Sequence, residues 1–283
     1  MKKRNLILVI CLVILAIASL VIFFFPRDSK AVEIENLVYY DKVYLDENDT
    51  TLGSFSIDLI IDLPTEYKKT DVLNNIKTIL KAELFGEIFM SVPDDSVLGA
   101  YANDLIKDYI EVNKGFADRI EDDSRMAFNN TVILEGFALL NDSQIFSYGI
   151  SHFVDFGGAH PNRTRLFYNF DLKTGDVIFE EDIFKDGFTA ELTEILKQKL
   201  SEDLSEQNIN RENSLNITDY FVDEIKPNHN FYINDESICY VFNPYEIAPY
   251  YIGETEINLP YSWIRHLLKE QNPINYLVDN INN

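Results

Sequence analysis

The chain has 283 residues, 46% of them apolar and 13% aromatic, with 24 Lys and Arg against 47 Asp and Glu, for a net charge of −23. So acidic a chain lacks the cationic surplus that nucleic-acid phosphates need, and it is not expected to lie flat on anionic lipid. The apolar and aromatic content is that of a packed globule, not of a disordered tail.

Met1-Lys2-Lys3-Arg4 leads into an apolar run from Leu6 to Phe25, 20 residues without a charge, Pro or Gly. As a helix it reaches about 30 Å, the thickness of the hydrocarbon core of a bilayer. The basic residues before it place the N-terminus on the cytoplasmic side and everything after Pro26 outside. A transmembrane signal-anchor followed by a short linker is therefore expected over residues 1–31. Ser29-Lys30-Ala31 is also a small-x-small site, so cleavage after Ala31, with release of the rest of the chain, is a competing reading. Lipidation at Cys11 is a third and poorer one, because Val9-Ile10 supplies no small residue before the cysteine.

Beyond Ala31 there are 19 basic and 46 acidic residues, a net charge near −27. That favours a basic partner or simply solubility. Cys239 is the only cysteine outside the apolar run, so no intrachain disulfide is expected there. In the strand-like Ser237–Phe242 it reads as a small buried hydrophobe.

A first strand is predicted around Glu35–Leu45. From Ser54 to Leu63 the residues alternate, with Phe55, Ile57, Leu59, Ile61 and Leu63 on one face, as in a half-buried strand. A helix follows, with Thr70 as its expected cap, Val72, Leu73, Ile76, Ile79, Leu80 and Leu84 on its apolar side and Gly86 as its stop. A second helix is expected to start near Asp94-Asp95, two acids suited to the positive end of its dipole, with a stripe of Leu98, Tyr101, Leu105 and Tyr109.

Three strands are predicted next: Thr131–Leu140, apolar on both sides and so central, then Gln144–Phe156 and Thr164–Phe170, both alternating. Asp171–Asp176 reads as a turn closing a hairpin onto Val177-Ile178-Phe179. Leu192, Ile195, Leu196, Leu200 and Leu204 mark a third long helix, and the polar Ser201–Asn216 a surface connection. Asn230–Ile233 and Ser237–Phe242 form a hairpin around Asn234-Asp235-Glu236, Glu254–Leu259 adds a strand, and Ser262 is the expected cap of a last helix. Strands in consecutive runs point to an α+β fold, mainly antiparallel sheets packed with three to four helices.

No familiar catalytic motif is present. His152, His160, His229 and His266 fall in no His-x-x-x-His or Cys-x-x-Cys spacing, so no metal or cofactor is expected. His152 lies on an apolar strand face and reads as a core histidine, and His266 as a surface one. There is no Gly-x-Ser-x-Gly elbow and no phosphate-cradling glycine loop. Carboxylate pairs such as Glu180-Glu181 and Asp122-Asp123 are commonplace in so acidic a chain.

Two segments are locally unusual. Asp155-Phe156-Gly157-Gly158-Ala159-His160-Pro161-Asn162 joins two strands, and its glycines permit positive φ. It either presents His160 and Asn162 to a partner or merely turns the chain. Phe242–Gly253 carries Pro244 and Pro249, five apart, with Tyr245, Glu246, Tyr250 and Tyr251. It is a stiff path whose tyrosines suit an interface or pack on the core. The candidate ligand-binding residues are Gly157, Gly158, His160, Asn162, Tyr245, Glu246 and Tyr250.

Taken with Asn169-Phe170-Asp171 and Thr174-Gly175, these segments resemble the bacterial DUF3298 domain, over roughly Gly157 to Tyr261. The preceding region resembles its companion, the DUF4163 or PdaC-type domain, in strand–helix pattern alone. The resemblance implies an N-terminal region at 32–156 and a DUF3298-like region at 157–283, which can form one integrated ectodomain. It implies an extracytoplasmic module on the bacterial cell envelope. One such class, the RsiV-type anti-sigma factors, binds lysozyme, and another sits beside a peptidoglycan deacetylase. Only five residues precede the apolar run here, too few for a sigma-binding segment, and no deacetylase domain follows. The expected function is a membrane-anchored binding module for a basic protein such as lysozyme or for a cell-wall fragment. The alternative is an envelope carbohydrate- or peptidoglycan-acting hydrolase using carboxylates or His160 that converge only in the fold.

Overall fold

A computed structural model of the chain describes residues 31–117, 128–207 and 215–280. The Leu6–Phe25 run, Cys11 and the Asp122-Asp123 pair lie outside the described residues. Among the described residues no helix is long and apolar enough to cross a membrane.

The fold is α+β. Strands β1 (Glu33–Tyr44), β2 (Ser54–Glu66), β3 (Asn130–Asn141), β4 (Ile145–Asp155) and β5 (Asn162–Asp171) form one sheet in the order 1-2-3-4-5. Its pairs are antiparallel except β2–β3, which is parallel. The exception has a cause: α1 (Thr70–Phe85) and α2 (Val97–Ala117) lie between these strands, and such a crossover returns the chain in the same direction. As the alternation predicts, Phe55, Ile57, Leu59, Ile61 and Leu63 are buried, and they pack with Val72, Ile76, Leu80 and Leu84 of α1. Strand β3 is central, with a neighbour on each side.

A second sheet, β6 (Phe231–Ile233), β7 (Ser237–Phe242) and β8 (Thr255–Pro260), is antiparallel, with the predicted hairpin between β6 and β7. Every residue of β7 is buried. Ile238, Tyr240 and Phe242 share a core with Leu192, Leu196, Leu200 and Leu204 of α4 (Thr189–Gln207). Cys239 and Val241, on the opposite face, pack on Phe167 of β5. One-turn helices α3 (Glu180–Ile183) and α5 (Tyr261–Ile264) and the short α6 (Asn275–Asn280) bring the α-helices among the described residues to six.

Five local expectations are corrected. Thr70 does not cap α1; it is the first helical residue after Lys69, whose ammonium has no acceptor to offer the helix N–H groups and instead bonds the Lys173 carbonyl at 2.7 Å. Ser262 does not cap α5, which begins at Tyr261 and lasts one turn, because Leu268 is drawn into a bridge with Phe184. Val177–Phe179 forms no strand, only a bridge from Val177 to Phe170, since Phe179 turns into α3 and gives its N–H to Asp182. Helix α4 continues through Ser201 to Gln207, held by buried Leu204; residues 208–214 are not described. Asp94, expected to favour the α2 dipole, pairs with Lys77 and Lys81.

Gly136 of β3 is required by packing. A Cβ there would stand 2.2 Å from the Tyr148 hydroxyl and 3.2 Å from Leu84, and the Tyr148 side chain is fully buried. Gly136→Ala is expected to cost about 1–3 kcal/mol by overpacking, measured as the shift in a urea unfolding midpoint. An unchanged midpoint would show that Tyr148 yields freely.

Candidate functional site

The Asp155–Asn162 loop joins β4 to β5, and Gly157 takes φ 71° while its N–H bonds the Asp155 carboxylate at 3.0 Å. Gly158 stands in open space without a positive φ, so only one of the two glycines meets a backbone demand. The turn carries His160 to the surface. There its ring stacks on Tyr250, with centroids 3.9 Å apart and planes inclined by 22°. Tyr245 joins them, its ring 5.5 Å from Tyr250 and its hydroxyl 3.2 Å from His160 Nε2. His160 Nδ1 lies 3.0 Å from the Pro161 carbonyl, which can only accept, so Nδ1 donates there while Nε2 faces the Tyr245 hydroxyl. Tyr250 donates its own hydroxyl to Pro161 at 2.7 Å.

Tyr245 is one of two non-glycine residues with positive φ among the described residues, at 74°, and it is 58% exposed. A bulky residue in that region costs energy that the surrounding structure must offset. Here the Phe242–Tyr251 segment holds it: the Asn243 amide pairs with both the N–H and the carbonyl of Arg165 at 2.6 and 3.0 Å. Beside the rings runs an open groove of about 340 Å³, lined by Asn162, Arg163, Tyr250, Tyr251 and Glu254. Tyr251 is 74% exposed.

Of the seven sequence candidates, the structure brings His160, Tyr245 and Tyr250 into one cluster, with Asn162 in the adjoining groove. Gly157 and Gly158 shape the loop without joining the rings. The Glu246 carboxylate is turned aside to the Asn243 and Asn228 amides, at 3.4 and 3.2 Å. Both ring nitrogens of His160 are engaged, and neither partner is a carboxylate. This arrangement lacks the histidine–carboxylate pair that the hydrolase reading requires.

The motif asparagines Asn169 and Asn243 have a structural task that the sequence did not disclose, shared with Asn230. Asn169 accepts from the Ser147 hydroxyl (2.7 Å) and the Ile233 N–H (2.9 Å) and donates to Phe231 (2.8 Å). Asn230 accepts from the Phe167 N–H at 3.1 Å and donates to Arg165 and Val241. These side chains stand in for a missing strand along the β5 edge and tie it to the second sheet. Arg165 adds two carboxylates, Glu254 and Glu256, at 2.5 and 2.6 Å, and lies over the Phe167 ring.

Sequence reasoning also missed Glu180. Its carboxylate is 1% exposed, accepts the His229 N–H at 3.1 Å and meets the same residue's Nδ1 at 3.1 Å. His229 is thereby held at φ 60°. Burial raises the Glu180 pKa above the usual carboxylate value, and His229 offsets part of the rise. A raised acid binds its proton more tightly when folded, so this contribution to stability is complete below the unfolded pKa and is lost as pH rises through the folded one. Glu180→Gln is expected to lose less melting temperature than the parent chain as the pH rises above the ordinary carboxylate range. Parallel curves would remove Glu180 from the account.

The remaining predicted positions are unremarkable. Cys239 is buried, its thiol pushed up to about 12 by desolvation and thus inert. His152 is half-buried, its pKa lowered by burial, and His266 is exposed beside Glu191 at 2.8 Å.

Residues 181–262 match the family described as "Protein of unknown function (DUF3298)", so a DUF3298 domain is present. The match takes in the second sheet and the Tyr245–Tyr250 turn. Solved structures share the fold, among them those of two DUF3298 family proteins. A DUF3298 family member from Bacteroides fragilis aligns with a TM-score of 0.77 and 22% identity, covering 90% of this chain and all 100% of that one. A DUF3298 family protein from Pseudomonas aeruginosa aligns with a TM-score of 0.54 and 15% identity, covering 86% of this chain and 97% of its own. No curated protein matches the chain.

Proposed function

We propose that this chain, a carrier of the DUF3298 domain, is an extracytoplasmic binding module that captures a cell-wall-related ligand, lysozyme foremost, on the His160–Tyr245–Tyr250 face. In this reading Leu6–Phe25 anchors the module in the bacterial membrane, and residues 32–156 are its DUF4163/PdaC-like companion region. The observation that carries the proposal is the surface stack of three rings, His160 and Tyr245 exposed and Tyr250 half-buried between them, built on a strained Tyr245 backbone and gathered from segments 85 residues apart. Large, pre-positioned tyrosines are typical anchors of protein interfaces, and their few torsions lose little entropy on binding.

Two further features support it. The charge near −27 after Ala31 would attract a basic protein over long range. The face also lies at the far end of the first sheet from the chain's entry: Glu33 pairs with Glu66 at one end, and the Asp155–Asn162 loop leaves from the other. Ten residues of β5 span about 30 Å, so an anchor before Ala31 leaves the face pointing outward.

The test is direct binding of the purified full-length protein to lysozyme and to soluble wall fragments, at low and at physiological salt. A lysozyme complex that weakens as salt rises is the expected result. Absence of binding to both ligands would overturn the proposal.

A further inference from the structure

At the opposite end of the first sheet, where β2 runs into α1 and β5 ends, lies a second groove of about 450 Å³. Four separate stretches of chain wall it, and bonds between them hold the walls in place. The Tyr67 hydroxyl donates to the Leu172 carbonyl at 2.9 Å, and the Lys69 ammonium donates to the Lys173 carbonyl at 2.7 Å. Across the groove the Tyr276 hydroxyl donates to Asp142. Both tyrosine rings are therefore fixed in orientation.

The charge of this groove runs against that of the molecule. The whole chain has about two acids for each base, yet the lining has Lys68, Lys69 and Lys173 against one acid, Asp171. Asp171 is already engaged by the Lys173 N–H at 2.7 Å. Asp142, just outside, accepts the N–H groups of Gln144 and Ile145 as well as the Tyr276 hydroxyl. Among the described residues none of the three lysines has a carboxylate within ion-pair distance; Lys69 bonds the Lys173 carbonyl, and the Lys68 ammonium lies over the Tyr67 ring, 5.7 Å from its centroid. In so acidic a chain, three ammonium groups without a carboxylate partner, gathered around a pre-formed cleft, suit an outside anion.

We propose that this groove binds an anionic saccharide, a sugar ring bearing a carboxylate. The ammonium groups of Lys68 and Lys173, both exposed, meet the carboxylate. The fixed Tyr276 ring and the face of Tyr67 that Lys68 leaves uncovered offer apolar surface to the sugar, and the Gln144 amide at the rim serves its hydroxyls. The site is separate from the His160 face, and neither depends on the other.

N-acetylmuramic acid and N-acetylglucosamine are a suitable pair of probes, because they share a ring and differ by the carboxylate-bearing group. Titration of the full-length protein with each, by calorimetry or ligand-observed NMR, is expected to show the acid binding on the order of tenfold more tightly than the neutral sugar. The preference should shrink as salt rises and vanish in the Lys68→Gln/Lys173→Gln double variant. Both lysines are exposed, so the variant should fold, and circular dichroism checks that. Equal binding of the two sugars, no binding of the acid at millimolar concentration, or a preference untouched by the double substitution would each overturn the proposal. So would an equal response to inorganic phosphate, which would show charge alone at work.

Discussion

Asn169→Ala is expected to destabilise the chain by about 3–5 kcal/mol. The side chain is 1% exposed and serves three partners: the Ser147 hydroxyl, the Ile233 N–H and the Phe231 carbonyl. Truncation leaves the Ile233 N–H and the Phe231 carbonyl without their bonds in a region water does not reach, and each such loss costs about 1–3 kcal/mol before relaxation. Ser147 retains one alternative, the Ile233 carbonyl at 3.0 Å, which limits the total. Denaturant unfolding measures the loss. Hydrogen exchange locates it, since the amides of β5 and β6 should lose protection before those of β2 and β3. A loss under 1 kcal/mol would mean that the joint between the sheets rests on Phe167, Cys239 and Val241 rather than on the asparagine bonds.

Tyr250→Ala is expected to weaken lysozyme binding by about 2 kcal/mol, roughly 30-fold. Tyr250 is the middle ring, in contact with both His160 and Tyr245, so its removal dismantles the face rather than trimming it. Two milder variants divide the effect. Tyr250→Phe keeps the stack and loses the hydroxyl bond to Pro161, so it should cost less than the alanine variant. His160→Ala removes an outer ring and frees the Tyr245 hydroxyl, and should fall between the two. The His160→Ala variant should barely move the global melting temperature, because His160 is exposed, and Tyr250→Phe, which keeps the half-buried ring in place, separates binding from stability. If all three variants bind like the parent, the stack is a fold signature and the ligand docks elsewhere.

Much of the architecture is legible in local pattern. The alternation of Phe55 to Leu63 states both that the segment is a strand and which face is buried. The spacing of Val72, Ile76, Leu80 and Leu84 does the same for α1, and the two-sided apolar character of Thr131–Leu140 marks a central strand. Capping was less legible. Thr70 and Ser262 have suitable side chains, but the chain enters α1 from Lys69 and leaves α5 toward Phe184 for reasons set by distant partners. The candidate rings His160, Tyr245 and Tyr250 were each visible as unusual residues. Their convergence was not, nor was the diversion of Glu246 to Asn228 and Asn243.

The division has a physical cause. By itself the sequence determined what each segment must bury, since periodicity, turn chemistry and charge act within a few residues. It thereby set the α+β class, the strands and the strong acidity. Only the tertiary structure decided which segments meet. The parallel β2–β3 pair follows from where α1 and α2 return the chain. The asparagine joint needs the bare edge of β5 beside the second sheet. The Glu180–His229 clamp and the three-ring face each join residues far apart in sequence. A polar side chain carries no mark of its partner until packing places the two together, so the candidate site took shape only in the folded chain.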